Sequence, residues 1–293
     1  VQTVRAKDSA KLVFGFDWYA IHFHSMPNDI MPITTIIFDV DDTLYDVSTG
    51  FTAHRNGYGA QSFMVAKLCF PSLESAKVVR DEYFERYHST AKALTVAQAE
   101  GRLPPEAPPF DAKDLAEWWA EKLDFSLLGG INSQLQLDLS DLQLITVAFS
   151  NGPRKYVKRV LLELGVWDFF GEERLYAVDD VLPYCKPERE AFEVIFSKLG
   201  VKAEECVIVE DSMKNIRKAK ELGVKTVLVK GRPSEQTTAA EATKPGDAPI
   251  ESDPSVDVVI EDINQLRAAM PGLWGSRPVK FEPVQQLINW RDF

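Results

Sequence analysis

Cysteine is scarce. Cys69, Cys185 and Cys206 are the only three among 293 residues; being odd in number, far apart and free of any CxxC spacing, they indicate neither a disulfide framework nor a zinc site. A reducing compartment, the cytoplasm, is the expected location, with an organelle address left open because the chain begins at Val1. Long apolar runs are also missing. The most apolar stretch near the start, LVFGFDWYAIHF, is too short for a membrane span and contains Asp17, so no membrane partner is expected. Positive charge is in deficit: 33 basic against 44 acidic residues give a net charge of −11, which repels phosphate-backbone polymers and argues against a nucleic-acid polymer as partner. What is present is an ordinary globular balance, 45% hydrophobic and 26% charged, enough for a large core without covalent staples. Oligomeric state is not legible.

Several uncharged, β-branched runs read as buried strands of a parallel sheet: ITTIIF at 33–38, LQLITVAFS at 142–150, CVIVED at 206–211, KTVLV at 225–229 and VDVVI at 256–260. Between them lie amphipathic helices. Val157, Val160, Leu161 and Leu164 keep helical spacing, as do Phe192, Ile195, Phe196 and Leu199, and Gly165, Gly200 and Gly223 stand where helices end. This alternation predicts an α/β fold, a doubly wound parallel sheet with right-handed crossovers. Residues 48–135 break it with helical patterns around 51–69, 74–100 and 112–123, two of them separated by LPPEAPPF at 103–110. The expected organisation is an N-terminal extension at 1–30, a core from 31–47 and 136–262, a helical insertion at 48–135, and a C-terminal extension at 263–293. Residues 231–255 read as a long exposed loop, and Trp274 and Trp290 as packing groups of the tail.

Ligands of open parallel sheets sit beyond the carboxyl ends of the strands, so those ends were read for chemistry. The first offers Asp39, Asp41 and Thr43 in DVDDT, the second Ser150 and Asn151, and the third Glu210 and Asp211. Lys186, just before Pro187, is placed at the start of a helix, where an anion is favoured. Two carboxylates so close can divide the labour, one attacking phosphorus and the other moving a proton. Their mutual repulsion calls for a divalent cation, and hard oxygen donors favour Mg2+. Ser150 would donate to a phosphoryl oxygen and Lys186 would offset its charge.

DVDDT, FSN, CKP and IVEDSMKNI, in this order, resemble the four motifs of the haloacid dehalogenase (HAD) superfamily over roughly residues 33–262, with the helical stretch in the position of its C1-type cap. Within it, FDVDDTLY, SNGPRKY, VLPYCKPEREAFE and VEDSMKNI resemble the pyrimidine 5′-nucleotidase group. The resemblance implies an aspartyl-phosphate on Asp39, with Asp41 as general acid and then base. It implies Mg2+ held by the Asp39 carboxylate, the Asp41 backbone carbonyl and Asp211, with Glu210 and Asn215 in support. Thr43, Ser150, Asn151 and Lys186 would bind the phosphoryl group of a small phosphomonoester. The chain departs from the group at His88 and Ala93, where glycine is usual, at Tyr156, where histidine is frequent, and at Ser150, where threonine is common.

Each motif has a plainer reading alone: a solvated turn, an N-cap, an exposed lysine. An EF-hand loop is excluded because its sixth position is Leu44 and its twelfth Gly50. Tyr83, Phe84, Tyr87, Trp118 and Trp119 read as packing, and His54, His88 and Cys185 as bystanders. The rival enzymes are a phosphatase for another phosphometabolite such as phosphoglycolate, a sugar phosphate or lysophosphatidate, a phosphoglucomutase-like phosphotransferase, and a dehalogenase. The last is disfavoured because halide needs no proton and Asp41 is present. A non-catalytic binding protein on the same fold is the rival of another class.

Overall fold

The computed structural model describes residues 32–87, 89–232 and 247–275. His88, Trp290, the extension at 1–30 and most of the loop and tail expectations lie outside them. The chain forms a six-stranded, all-parallel sheet: β1 (Thr35–Phe38), β2 (Ile145–Phe149), β3 (Leu175–Tyr176), β4 (Cys206–Glu210), β5 (Lys225–Val229) and β6 (Val258–Ile260), in the order β3-β2-β1-β4-β5-β6. Helices cover both faces, and the side-chain period of two divides the strands between them. Ile36 and Phe38 join one buried cluster with Val157, Leu161 and Phe170; Ile37, Val147 and Ile208 join the other with Ala191, Phe192 and Ile195.

The five strands read from the sequence are present, each within its run and four of them shorter. The sixth, β3, escapes periodicity because it has only two residues, yet it extends the ladder at the edge, where Ser150 N–H donates to Tyr176 O at 3.0 Å. Between β1 and β2 the chain is helical, with helices at Phe51–His54, Ala60–Lys67, Leu73–Tyr87, Thr90–Ala99, Ala112–Lys122 and Ser133–Asp141. The stretch read as helical over 74–100 is two helices. Ser89 has extended backbone and its hydroxyl accepts from Lys92 N–H, which starts the second. Among the described residues no helix is long and apolar enough to cross a membrane.

Two further expectations are corrected. Lys186 does not open a helix: the next one runs Arg189–Leu199 with Glu188 as its N-cap, so the lysine acts through its ammonium and not through a helix terminus. The loop after β5 is not wholly exposed, because Asp247 is buried and its carboxylate accepts from Ser212 Oγ and from Lys214 N–H, tying it to the turn after β4. The tail packs where it is described: Leu266, Met270 and Leu273 are buried, and Trp274 Nε1 donates to Asp138 O at 2.7 Å.

Phe38 is fully buried one residue before Asp39, its ring edge-on to Phe170 at 6.1 Å. Phe38→Ala should therefore lower the unfolding free energy by about 3–5 kcal/mol, read from the urea midpoint at unchanged slope.

Candidate functional site

In this strand order the chain runs outward from β1 through β2 and β3, then crosses to β4 and runs the other way. The crevice between the carboxyl ends of β1 and β4 is where such sheets bind ligands, because the crossovers leave it uncovered. Asp39 stands at that point. Its N–H donates to Val209 O at 2.9 Å, continuing the β1–β4 ladder, and Asp42 then turns the chain in the left-handed region at φ 60°, a conformation aspartate tolerates better than most residues. The turn buries Asp39 and Asp41 together.

Lys186 binds the ends of three strands. Its ammonium, 1% exposed, donates to Asp39 Oδ1 at 2.7 Å, Glu210 Oε2 at 2.7 Å and Phe149 O at 2.8 Å. Burial by itself would favour neutral lysine, but the Asp39 and Glu210 carboxylates outweigh it and hold the Lys186 pKa above its ordinary value. Asn151 clamps the lysine's backbone from both sides: its Nδ2 donates to Lys186 O and its Oδ1 accepts from Lys186 N–H, each at 2.8 Å. The Asn151 amide is thereby engaged in positioning Lys186. Thr43 is buried and donates to Asp39 Oδ2 at 3.3 Å, orienting that carboxylate.

Asp41 lives in a different environment. Its Oδ1 accepts from Tyr45 Oη at 2.7 Å and from Tyr156 Oη; its Oδ2 accepts from Arg55 Nη1 and, at 3.4 Å, from Ser150 Oγ. Burial pushes its pKa up, but the Arg55 guanidinium and the two tyrosine hydroxyls outweigh it, leaving Asp41 below the usual carboxylate range. Ser150 Oγ also accepts from Gly152 N–H at 2.9 Å.

Oxygens of Asp39, Glu210 and Asp211 lie within 4.8 Å of one another. Three hard carboxylate donors fit Mg2+ by type, and Glu210 stands in this group on equal terms with Asp211. Glu210 Oε1 is steadied by Ser212 N–H at 3.1 Å.

Asp39, Asp41, Ser150, Asn151, Lys186, Glu210 and Asn215 line one cleft; Thr43 lies beneath it, and Asp211 meets it through the carboxylate group just described. Arg55, Ser89 and Thr90 line it too, and no sequence signal marked them. Arg55 sits in a π-helical turn, Arg55–Gly59, with no motif or periodicity relating it to Asp41. Phe84 and Trp119 face the cleft as well as packing, whereas Tyr83 is buried among Ala93 and Ala97. His54 Nε2 accepts from Asp124 N–H at 3.3 Å, away from the cleft. Burial pushes the Cys185 thiol up to about 12, leaving it no nucleophile.

Arg55→Met strands a buried carboxylate and should cost about 3–5 kcal/mol of stability at neutral pH. The folded-state pKa of Asp41 is depressed, so its contribution is present above the ordinary value of 3.8 and is lost as pH falls through the lower folded value. The deficit of the variant should accordingly shrink on acidification; denaturant titrations showing a constant deficit would rule the ion pair out as its source.

Comparison with known proteins bears on the family. Residues 33–223 match the haloacid dehalogenase-like hydrolase family, and residues 183–264 match a HAD-hydrolase-like family. No curated protein matches the chain. Among solved structures, the L-2-haloacid dehalogenase from Xanthobacter autotrophicus with chloropropionic acid covalently bound is 18% identical, covering 82% of this chain and 99% of its own at a TM-score of 0.51. The 2-haloacid dehalogenase from Pseudomonas syringae pv. Tomato DC3000 is 19% identical over 80% of this chain and 97% of its own, with a TM-score of 0.50. A predicted phosphoglycolate phosphatase from Haemophilus somnus 129pt is 16% identical over 80% and 97%, with a TM-score of 0.46. At these identities the two dehalogenase structures show a common fold alone. The chain belongs to the haloacid dehalogenase-like hydrolase family.

Proposed function

We propose that the protein is a Mg2+-dependent phosphomonoester hydrolase working through an aspartyl-phosphate, with a pyrimidine nucleoside 5′-monophosphate as substrate and the cytoplasm as its compartment. The observation that carries the reading is the unequal treatment of two neighbouring carboxylates: Asp39 is held by Lys186 and Thr43, while Asp41 is held by Arg55, Tyr45, Tyr156 and Ser150. Expulsion of halide needs no proton, so a second, separately managed carboxylate suits an ester and not a carbon–halogen bond. The nucleotide part rests on the resemblance of the four motifs and on the aromatic residues Phe84 and Trp119 at the cleft.

An Asp39 carboxylate oxygen attacks phosphorus, the bond to the leaving oxygen breaks, and Asp41 gives that oxygen a proton. Water then attacks the phosphorus of the aspartyl-phosphate, its proton passes to Asp41, and the bond from phosphorus to Asp39 breaks, releasing phosphate and restoring the Asp39 carboxylate and the protonated Asp41. The Arg55 guanidinium and the two phenols hold the Asp41 carboxyl below the usual carboxylate range, which favours its ionised form. To act first as an acid it must accept a proton and release Arg55, and the incoming phosphate dianion is a fitting new partner for that guanidinium. Ser150 and Lys186 supply donors and positive charge to the transferring group. When bound at Asp39, Glu210 and Asp211, Mg2+ would supply charge neutralisation to the phosphate.

Phosphate release from p-nitrophenyl phosphate should require Mg2+ and be abolished in Asp39→Asn; a folded wild type that releases none would overturn the phosphatase. Across UMP, CMP, AMP, phosphoglycolate, sugar phosphates and lysophosphatidate, the pyrimidine nucleotides should show the highest kcat/KM, and equal or poorer turnover would remove the nucleotide assignment. Mg2+ at a hundredfold excess over its Kd should stabilise the wild type by about 2.7 kcal/mol. Thermal melts of Asp211→Asn should lose most of that gain.

A further inference from the structure

The helices between β1 and β2 contribute Arg55, Phe84, Ser89, Thr90 and Trp119 to the cleft. Two of the polar groups have work within the protein. Arg55 holds Asp41, and Ser89 caps its helix while donating to Asn151 O at 3.1 Å. Thr90 does not share in this. It is 3% exposed, and its hydroxyl has no hydrogen-bond partner among the described residues.

The helix itself explains why. Thr95, later in the same helix, donates its hydroxyl to Ala91 O at 2.9 Å, the back-bond usual for threonine in a helix. Thr90 is the first residue of the helix Thr90–Ala99, so the carbonyl four positions earlier belongs to the preceding helix Leu73–Tyr87 and is not presented to it. A buried hydroxyl left in that condition costs folding free energy that a valine of the same shape would not. A group that enters the cleft can supply the missing partner.

The neighbouring wall is flat and apolar. Phe84 lines the same cleft, and the Arg80 guanidinium lies 3.9 Å over its ring, held in turn by Asp81 Oδ1 at 2.8 Å. The ring adds apolar aromatic surface to the cleft. Thr90 lines the same cleft, and its hydroxyl can donate to or accept from a polar atom of a group bound there.

We propose that Thr90 is a specificity-determining residue, its hydroxyl hydrogen-bonding the nucleoside of the leaving group while Phe84, braced by Arg80, carries the planar base. This deepens the phosphatase reading and rests on it. It gives the helical segment the selection of the leaving group, while the sheet end handles the phosphoryl group common to all substrates.

The test compares UMP with phenyl phosphate, whose leaving group has no polar atom beyond the ester oxygen. Thr90→Val should raise KM for UMP about tenfold and leave the KM and kcat for phenyl phosphate within about twofold of wild type. Thr90→Ser should restore the UMP value, and the melting temperature of Thr90→Val should be no lower than that of wild type. Parallel shifts for both substrates, or an unchanged KM for UMP, would overturn the role of Thr90. A wild type that cleaves phenyl phosphate but not UMP overturns the nucleoside leaving group and the role of Thr90 with it while leaving the phosphatase reading standing, and one that cleaves neither overturns the phosphatase reading as well.

Discussion

A lysine ammonium that is 1% exposed must be surrounded by acceptors or it will not remain charged, and the three acceptors of Lys186 come from the ends of β1, β2 and β4. That requirement joins distant parts of the chain at one point. It also lets Asp39 and Glu210 approach within reach of Asp211 without the repulsion that bare carboxylates would suffer. Asn151 serves the same constraint from outside by fixing the backbone that carries the lysine. Breaking such a centre leaves uncompensated buried charge, so the site's integrity and the fold's stability are linked here.

Asp41 shows how two carboxylates of the same turn can be prepared for different work. Neither differs much in burial; what differs is the company, an ammonium for one and a guanidinium with two phenols for the other. Arg55 and Tyr156 also connect Asp41 with elements beyond the sheet: Arg55 Nη1 donates to Tyr156 Oη at 3.1 Å and the guanidinium lies 5.4 Å from the Trp119 ring. The helical segment therefore touches Asp41 directly. Ser89, donating to Asn151 O, connects it to the end of β2, and Lys92, paired with Glu188, connects it to the segment that carries Lys186.

Much of this was legible beforehand. Strands with uninterrupted β-branched runs, such as 206–210, declare themselves because both faces of a covered parallel sheet are apolar. The helix caps at Gly165, Gly200 and Gly223 all have positive φ, where glycine is least strained. Residues beyond strand ends could be nominated as chemical because the topology of open sheets leaves that edge uncovered. What did not show was what has no period: a two-residue strand, a break at Ser89 inside an unbroken helical pattern, and a loop that sends Asp247 into the interior.

By itself, then, the amino-acid order determined the alternation of strands and helices, the strand-end positions of Asp39, Asp41, Ser150 and Asp211, and the hard-oxygen character of the carboxylates there. These follow from local spacing, hydropathy and residue chemistry. Only the tertiary structure decided who partners whom: that Glu210 stands with Asp39 and Asp211, that Asn151 serves Lys186, that Arg55 takes Asp41, and that the buried Thr90 hydroxyl has no partner among the described residues. Hydrogen bonds and ion pairs act over a few ångströms in space, and residues separated by tens or hundreds of positions reach that distance only once the sheet has been assembled.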